Sequence, residues 1–250
     1  MITINNVCKY FGDRKVLNDI NTSFEQGKVN LVIGRSGSGK TVLMKCLVGL
    51  LTPDEGEILY DGRNFNLFSN KERQNIRTEM GMVFQGAALF DSMTVQDNVM
   101  FPLNMLTSQS WEEKLERVNV CLKRVDLVNS NNFFPAELSG GMKKRAAIAR
   151  AIACNPQYLF CDEPNSGLDP KTALLIDELI IEITHEFDMT TVVNTHDINS
   201  FITIGETISY IHKGTLEWRG NMDNVMSSDN EKLNDFIFAQ PLTQRIRNLM

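Results

Sequence analysis

Gly34-Arg35-Ser36-Gly37-Ser38-Gly39-Lys40-Thr41 fits the pattern G-x-x-x-x-G-K-[ST] at every defined position. Glycines at this spacing let the backbone wrap a phosphate with its amides pointing inward, and a following helix adds its positive end. Lys40 is then placed to reach the β- and γ-phosphates of a nucleotide, and the Thr41 hydroxyl to hold Mg²⁺. A second group is Tyr158-Leu159-Phe160-Cys161-Asp162-Glu163-Pro164. An apolar run ending in two acids reads as a buried strand that delivers carboxylates at its C-terminal end, where ligands bind in open α/β sheets. Asp162 would help hold Mg²⁺, and Glu163 would polarise an attacking water as general base. The plain alternatives are a Gly-rich turn that happens to contain Lys, and a solvated strand end. Their presence together in one chain argues against both.

These groups need elements to hold them. Ile2–Phe11 and Asn21–Phe24 read as strands, and Lys28–Ile33 is a short apolar run that ends at Gly34. Residues 40–51, KTVLMKCLVGLL, read as a buried helix that stops before the turn Thr52-Pro53-Asp54-Glu55-Gly56. Ile58–Tyr60 suggests a further strand. From Gly86 to Asn155 most of the chain reads as helical; in Trp111–Leu127, Leu115, Val118, Leu122 and Val125 recur at helical spacing. Strand signals return at Gln157–Asp162, Thr190–Asn194 and Ile208–His212, around an amphipathic helix at Lys171–Phe187. Strand–helix alternation at both ends predicts an α/β core with a parallel sheet and a helical middle inserted into it. Asn234–Phe238 and Gln244–Leu249 suggest helical segments in the tail.

The third group is Leu138-Ser139-Gly140-Gly141-Met142. Paired glycines at a helix start leave amides free to meet an anion. A phosphate loop, then LSGG, then apolar-Asp-Glu, resembles the ATP-binding subunits of ABC transporters, and the resemblance covers nearly the whole chain. It implies a P-loop NTPase (RecA-like) core with an N-terminal antiparallel β subdomain and an inserted α-helical subdomain. On that pattern residues 1–250 are one ATP-binding domain. Residues 1–85 and 156–220 are the catalytic core with its β subdomain, 86–155 the helical subdomain and 221–250 a C-terminal extension. The implied cofactors are ATP and Mg²⁺.

The resemblance also assigns smaller motifs. Phe11, in Lys9-Tyr10-Phe11-Gly12, matches the aromatic that stacks on adenine, with Tyr10 as the alternative platform. Gln85, in Met82-Val83-Phe84-Gln85, matches the glutamine that senses Mg²⁺ and water and couples to the membrane partner. Ser166-Gly167-Leu168-Asp169 matches the loop that crosses the dimer interface, with Gly167 in place of the commoner Ala. His196, in Asn194-Thr195-His196-Asp197, matches the switch histidine at the γ-phosphate. Ser139, Gly140 and Gly141 would contact the nucleotide bound by the other protomer, so that a homodimer completes two sites that neither chain completes alone.

The chain has 250 residues and a net charge of −6, from 31 acidic and 25 basic residues. An acidic balance disfavours non-specific nucleic-acid binding, so no nucleic-acid partner is expected. No apolar run approaches the roughly 18–20 residues that cross a bilayer. MITINNVCKYF carries no basic stretch followed by an apolar block, so no secretory leader is expected. Cys8, Cys46, Cys121, Cys154 and Cys161 are scattered and odd in number, which disfavours a disulfide framework or zinc site and suits a reducing compartment. With no such run in the chain, the resemblance implies a separate integral membrane permease, expected to dock near Gln85–Leu103, at the cytoplasmic face of a bacterial inner membrane.

The segments Gly86-Ala87-Ala88-Leu89-Phe90 and Asn98-Val99-Met100-Phe101-Pro102-Leu103, with LSGGM followed by Lys143-Lys144-Arg145, resemble the ATPases of Mla/Mce-type phospholipid transporters. That implies a phospholipid cargo and an MCE-domain lipid-binding partner. The alternatives are another cargo (an amino acid, metal chelate or drug) and a non-transport ABC switch. Met82, Met93, Met100, Met105 and Met142 read either as an adaptable contact surface or as core, and the basic run as a solvated helix face. The tail from Phe236 to Met250 resembles an extension that embraces a neighbouring protomer.

Overall fold

Two apolar runs, Val29–Ile33 and Tyr158–Asp162, are buried at every residue, as strands covered on both faces must be. They lie inside a two-sheet architecture. The computed structural model describes Met1–Ala239, leaving aside the side chains of Asn70, Ile198 and Asn199. The strands and helices begin with β1 (Ile2–Phe11), β2 (Arg14–Phe24), β3 (Val29–Ile33), α1 (Lys40–Leu47), β4 (Glu55–Tyr60) and β5 (Arg63–Asn64). There follow α2 (Asn70–Thr78), β6 (Met80–Val83), α3 (Val95–Leu106), α4 (Trp111–Arg124) and α5 (Gly140–Ile152). The chain continues through β7 (Tyr158–Asp162), α6 (Pro170–Glu186), β8 (Thr190–Thr195), α7 (Ile198–Ile204), β9 (Thr207–His212) and β10 (Thr215–Gly220). It closes with α8 (Met222–Val225) and α9 (Glu231–Ile237). The helix expected at Gln244–Leu249, and Gln240–Met250 of the expected C-terminal extension, lie outside the described residues.

The larger sheet has the order β10-β9-β3-β8-β7-β6; its strands are parallel except for β10, which pairs antiparallel with β9. The smaller sheet, β2-β1-β4-β5, is antiparallel. The period-2 geometry of the central strands divides the interior into two cores. Leu31, Ile33, Leu159, Cys161 and Val193 pack with residues of α3, α4, α5 and α6. Val32, Tyr158, Phe160 and Val192 turn the other way, onto α1 and the small sheet. A one-residue slip would exchange the two faces, so register is pinned from both sides. Each fully buried Ile, Leu, Val or Phe contributes about 1.5–3 kcal/mol.

The helices begin where sequence chemistry can satisfy their free amides. Thr94 with Asp97 starts α3 and Ser110 with Glu113 starts α4, each as a reciprocal capping box. Ser69 with Glu72 does the same for α2, a helix that hydrophobic spacing did not reveal. The helix expected over residues 40–51 ends at Leu47, because Gly49 turns left-handed (φ +73°) against the Phe65 ring. β2 begins at Arg14, opposite Phe11, rather than at Asn21. Glu55 and Gly56 start β4 instead of closing a turn. All five cysteines are free, and all but Cys154 are fully buried. Among the described residues no helix is long and apolar enough to cross a membrane.

Candidate active site

Parallel strands end on one edge, and four neighbours in the larger sheet end in the segments singled out by sequence. Gly34–Thr41 follows β3, His196 follows β8, Asp162 and Glu163 stand at the end of β7, and Gln85 follows β6. Ladder pairs at or near these ends, Ile33 with Thr195, Asp162 with Asn194 and Val83 with Cys161, hold the four loops side by side. Groups as far apart in sequence as Gly34 and His196 therefore converge.

The loop after β3 is shaped by glycine. Gly34 has φ +152°, and a Cβ there would lie 2.2 Å from the Ile211 carbonyl oxygen, so only glycine fits. Gly39 (φ +112°) precedes α1, which has no side-chain cap and no acidic residue in its first turn. Its free amides and positive end are thus left for an anion. The floor of the loop is bonded to its surroundings: Gly214 N–H donates to Ser38 O at 2.9 Å. Asn18 N–H in turn donates to Gly214 O at 2.8 Å. Lys40, 5% exposed, donates from Nζ to the carbonyls of Gly34 (2.8 Å) and Arg35 (3.2 Å). Burial pulls its ammonium below the ordinary lysine range, and Glu163 and Asp162 pull the other way. Ser38 Oγ is buried with no hydrogen-bond partner, an unsatisfied polar group of the kind that calls for an explanation. Ser36, Gly37 and Thr41 complete the loop, with Thr41 exposed at the first turn of α1.

At the acid end, Asp162 accepts a hydrogen bond from Asn194 Nδ2 at 3.0 Å. Glu163 leaves the sheet in a left-handed conformation (φ +48°), and its Oε1 lies 2.8 Å from His196 Nδ1. Gln85 Nε2 donates to Ser166 Oγ at 3.2 Å. Lys144 corrects the reading of the basic run as a solvated face: it is buried, and it donates to the Gln85 and Glu163 main-chain carbonyls. Asn194 and Lys144 are the residues of this edge that sequence reading missed. A polar residue ending a β-branched strand was the available signal for Asn194; Lys144 offered none.

Other expected residues stand around this edge. Phe11, on the β1–β2 hairpin, is 49% exposed with Lys9 Nζ 5.8 Å from its ring centre. Tyr10 is engaged instead, its hydroxyl on Glu55 at 3.0 Å and Lys15 over its ring at 5.3 Å. Gly167 has φ +80°, a backbone reason for glycine at this position. Asp169 caps α6 by accepting from Thr172 N at 3.1 Å and Thr172 Oγ1 at 2.6 Å, bonds that hold its carboxyl below the usual range. Ser139 caps α5, its Oγ accepting from Met142 N at 3.2 Å. A Cβ on Gly140 would touch Leu168 at 3.4 Å, and one on Gly141 would collide with Thr172 at 2.6 Å. Ser139, Gly140 and Gly141 therefore pack beside the Ser166–Asp169 loop and are not brought onto the Gly34–Thr41 loop of the same chain. The five methionines do not form one surface: Met100 is buried and Met105 exposed.

Among the described residues no group of three or more His, Cys, Asp or Glu side chains could hold a metal by itself. One carboxylate, Asp162, on the same sheet edge as Thr41 and Gln85, suits Mg²⁺, which takes few protein ligands and completes its shell from phosphate and water. The orphaned Ser38 hydroxyl and the uncapped start of α1 fit the phosphates themselves.

A profile of the ABC transporter family matches residues 17–166. The chain is 37% identical over 236 residues to "Probable ribonucleotide transport ATP-binding protein mkl" of Mycobacterium tuberculosis, covering 94% of this chain. It spans 66% of that relative's length, just under two thirds. It is 38% identical over 246 residues to "Methionine import ATP-binding protein MetN" of Clostridium tetani, covering 97% of this chain and 76% of that protein. Among solved structures, the dimeric ATP-binding cassette MJ0796 in a post-hydrolysis state bound to ADP and Pi superposes with a TM-score of 0.80. It is 35% identical, over 89% of this chain and 99% of that one.

Proposed function

The chain belongs to the ABC transporter family, and from that premise we propose that it is the ATP-hydrolysing subunit of such a transporter, working as a homodimer beneath an integral membrane permease. The observation that carries this reading is the convergence of the Gly34–Thr41 loop, Asp162, Glu163, His196 and Gln85 on one sheet edge. In the proposed reaction the Gly34–Thr41 amides and Lys40 hold the phosphates, and Phe11 stacks on adenine. Thr41, Asp162 and Gln85 would hold Mg²⁺, which neutralises phosphate charge when bound. Glu163 accepts a proton from water as the water oxygen bonds to the γ-phosphorus. The bond to the β–γ bridging oxygen breaks, and ADP and phosphate leave. With Nδ1 engaged by Glu163, the Nε2 of His196 is the ring nitrogen left for the γ-phosphate. Ser139, Gly140 and Gly141 of the second protomer close over the same nucleotide, and Ser166, Gly167, Leu168 and Asp169 line the contact between protomers.

A groove of about 420 Å³ supports permease docking near Gln85–Leu103; Met82, Phe84, Ala88, Phe90, Phe101 and Leu106 are among its walls. Phe84 and Phe90 are 38% and 42% exposed, and an apolar recess of this kind suits an inserted helix. The proposed position is peripheral, at the cytoplasmic face of a bacterial inner membrane.

For cargo we assign a phospholipid, on the likeness of Gly86–Phe90, Asn98–Leu103 and LSGGM to Mla/Mce-type ATPases, with an MCE-domain protein as accessory partner. The names of the relatives, for ribonucleotide transport and methionine import, favour a second reading with a small polar cargo. Recovery of the tagged chain from its host's membranes separates them. An accompanying permease with an anchored MCE-domain protein supports the lipid reading; a different accessory protein overturns it. The ATPase reading is tested by phosphate release from Mg-ATP, alone and with the permease. Low turnover that rises in the complex supports it. Equal turnover contradicts the coupling, and no turnover in either contradicts the activity.

A further inference from the structure

Lys144 sits within the basic run Lys143-Lys144-Arg145 on α5, yet only 5% of it is exposed. A buried ammonium needs acceptors for its protons. Its Nζ donates to the main-chain carbonyl of Gln85 and, at 3.5 Å, to that of Glu163. Burial holds the ammonium below the ordinary lysine range, and Cys161 and Glu163 pull it upward.

Strand register explains why these two carbonyls are the acceptors. Val83 pairs with Cys161 at the end of the β6–β7 ladder, and Gln85 and Glu163 each stand two residues further on. Both carbonyls leave the sheet at the same level, past the last ladder pair. Further along α5, Arg150 donates to the carbonyls of Ala87 (2.8 Å) and Ala88 (2.7 Å). The helix therefore grips the chain from Gln85 to Ala88 at two points, and Lys144 also ties it to β7. The same helix starts at Ser139–Gly141.

We infer that Lys144 is a positioning residue for hydrolysis: through main-chain carbonyls it fixes the Gln85 and Glu163 side chains relative to each other and to the start of the helix that carries Ser139–Gly141. The inference rests on the ATPase reading above. Lys144 makes no hydrogen bond to the Gly34–Thr41 loop, so nucleotide binding is separable from it.

The test compares the full chain with Lys144→Met, which removes the donors, and Lys144→Gln, which keeps an N–H donor. Hydrogen exchange is followed in peptides covering 84–88, 163–166 and, as control, 40–47. Steady-state kinetics are normalised to sites counted with a fluorescent ATP analogue. In Lys144→Met the first two segments exchange about tenfold faster or more and the control does not change. Its kcat falls about 10- to 100-fold with KM within about twofold, as loss of positioning predicts. Lys144→Gln falls between. Wild-type exchange and kcat in both variants overturn the inference, as does a loss of nucleotide affinity equal to the loss of rate. Failure of both variants to fold makes Lys144 a stability residue and overturns it too. If the wild-type chain hydrolyses no Mg-ATP, the ATPase reading fails, and the exchange comparison still decides whether Lys144 holds the two segments.

Discussion

His196 Nδ1 lies 2.8 Å from Glu163 Oε1, a contact between the residues that follow the adjacent strands β8 and β7. Glu163 is the more sheltered partner, its side chain 18% exposed against 57% for His196. The carboxylate is thus held in place from the neighbouring strand. His196→Ala should lower kcat by about 10²-fold or more, with nucleotide affinity little changed. Phosphate release and a fluorescent-nucleotide titration measure the two effects. A shift in affinity alone would remove His196 from the chemistry.

Phe11 and Tyr10 can be told apart as adenine platforms. Phe11 offers an exposed ring, whereas Tyr10 is tied to Glu55 and Lys15. Base–aromatic stacking contributes about 1–3 kcal/mol, so Phe11→Ala should raise the Kd for ATP roughly fivefold or more. Tyr10→Ala should change it less. The reverse order, read by calorimetric titration, would make Tyr10 the platform.

Asp177 carries a pH dependence of its own. Burial on α6 pushes its carboxyl up to about 6, against hydrogen bonds from Asn165 and Ser200; Asp197 and Glu178 push it further the same way. Asn165 Nδ2 donates to it at 2.6 Å. Its folded pKa lies above the unfolded value, so the folded state binds the extra proton between about pH 4 and pH 6. Stability falls as pH rises through that window and is flat above it. Asp177→Asn keeps the acceptor for Asn165 and removes the charge. It should raise stability at pH 8 by about 1–3 kcal/mol and remove this contribution to the slope in denaturant melts. Equal slopes in the two proteins would contradict the assignment.

The docking groove predicts a separation of activities. Phe90 lines it beside Phe101, with ring centres 4.8 Å apart. Phe90→Asp should abolish recovery of the permease with the tagged chain and leave the Mg-ATPase rate of the isolated subunit within about twofold, since a surface substitution away from the site costs little. Undiminished recovery would place the permease elsewhere.

What was legible in the sequence was what is contiguous in it. The Gly34–Thr41 loop and the Asp162-Glu163 pair declare their chemistry within a few residues, and the buried strands beside them read as apolar runs. β6 did not: it has four residues, and one is Gly81, where a Cβ would lie 2.3 Å from the Ala151 carbonyl oxygen. That glycine permits close approach of α5, a reason that exists only in three dimensions. Lys144 was hidden for the same reason, because a lysine between Lys143 and Arg145 reveals nothing of what covers it. α2 was legible after all, through the capping box of Ser69 and Glu72, but not through hydrophobic periodicity, since its only buried apolar residue is Ile76.

The central claim is that two chains enclose the nucleotide, the Gly34–Thr41 loop of one facing Ser139–Gly141 of the other. Glu163→Gln keeps the shape of the site and removes the base. Sedimentation velocity of that variant with and without Mg-ATP is the direct measurement. The account predicts a monomer without nucleotide and a stable dimer with Mg-ATP. A variant that binds ATP and stays monomeric at saturating Mg-ATP would contradict it.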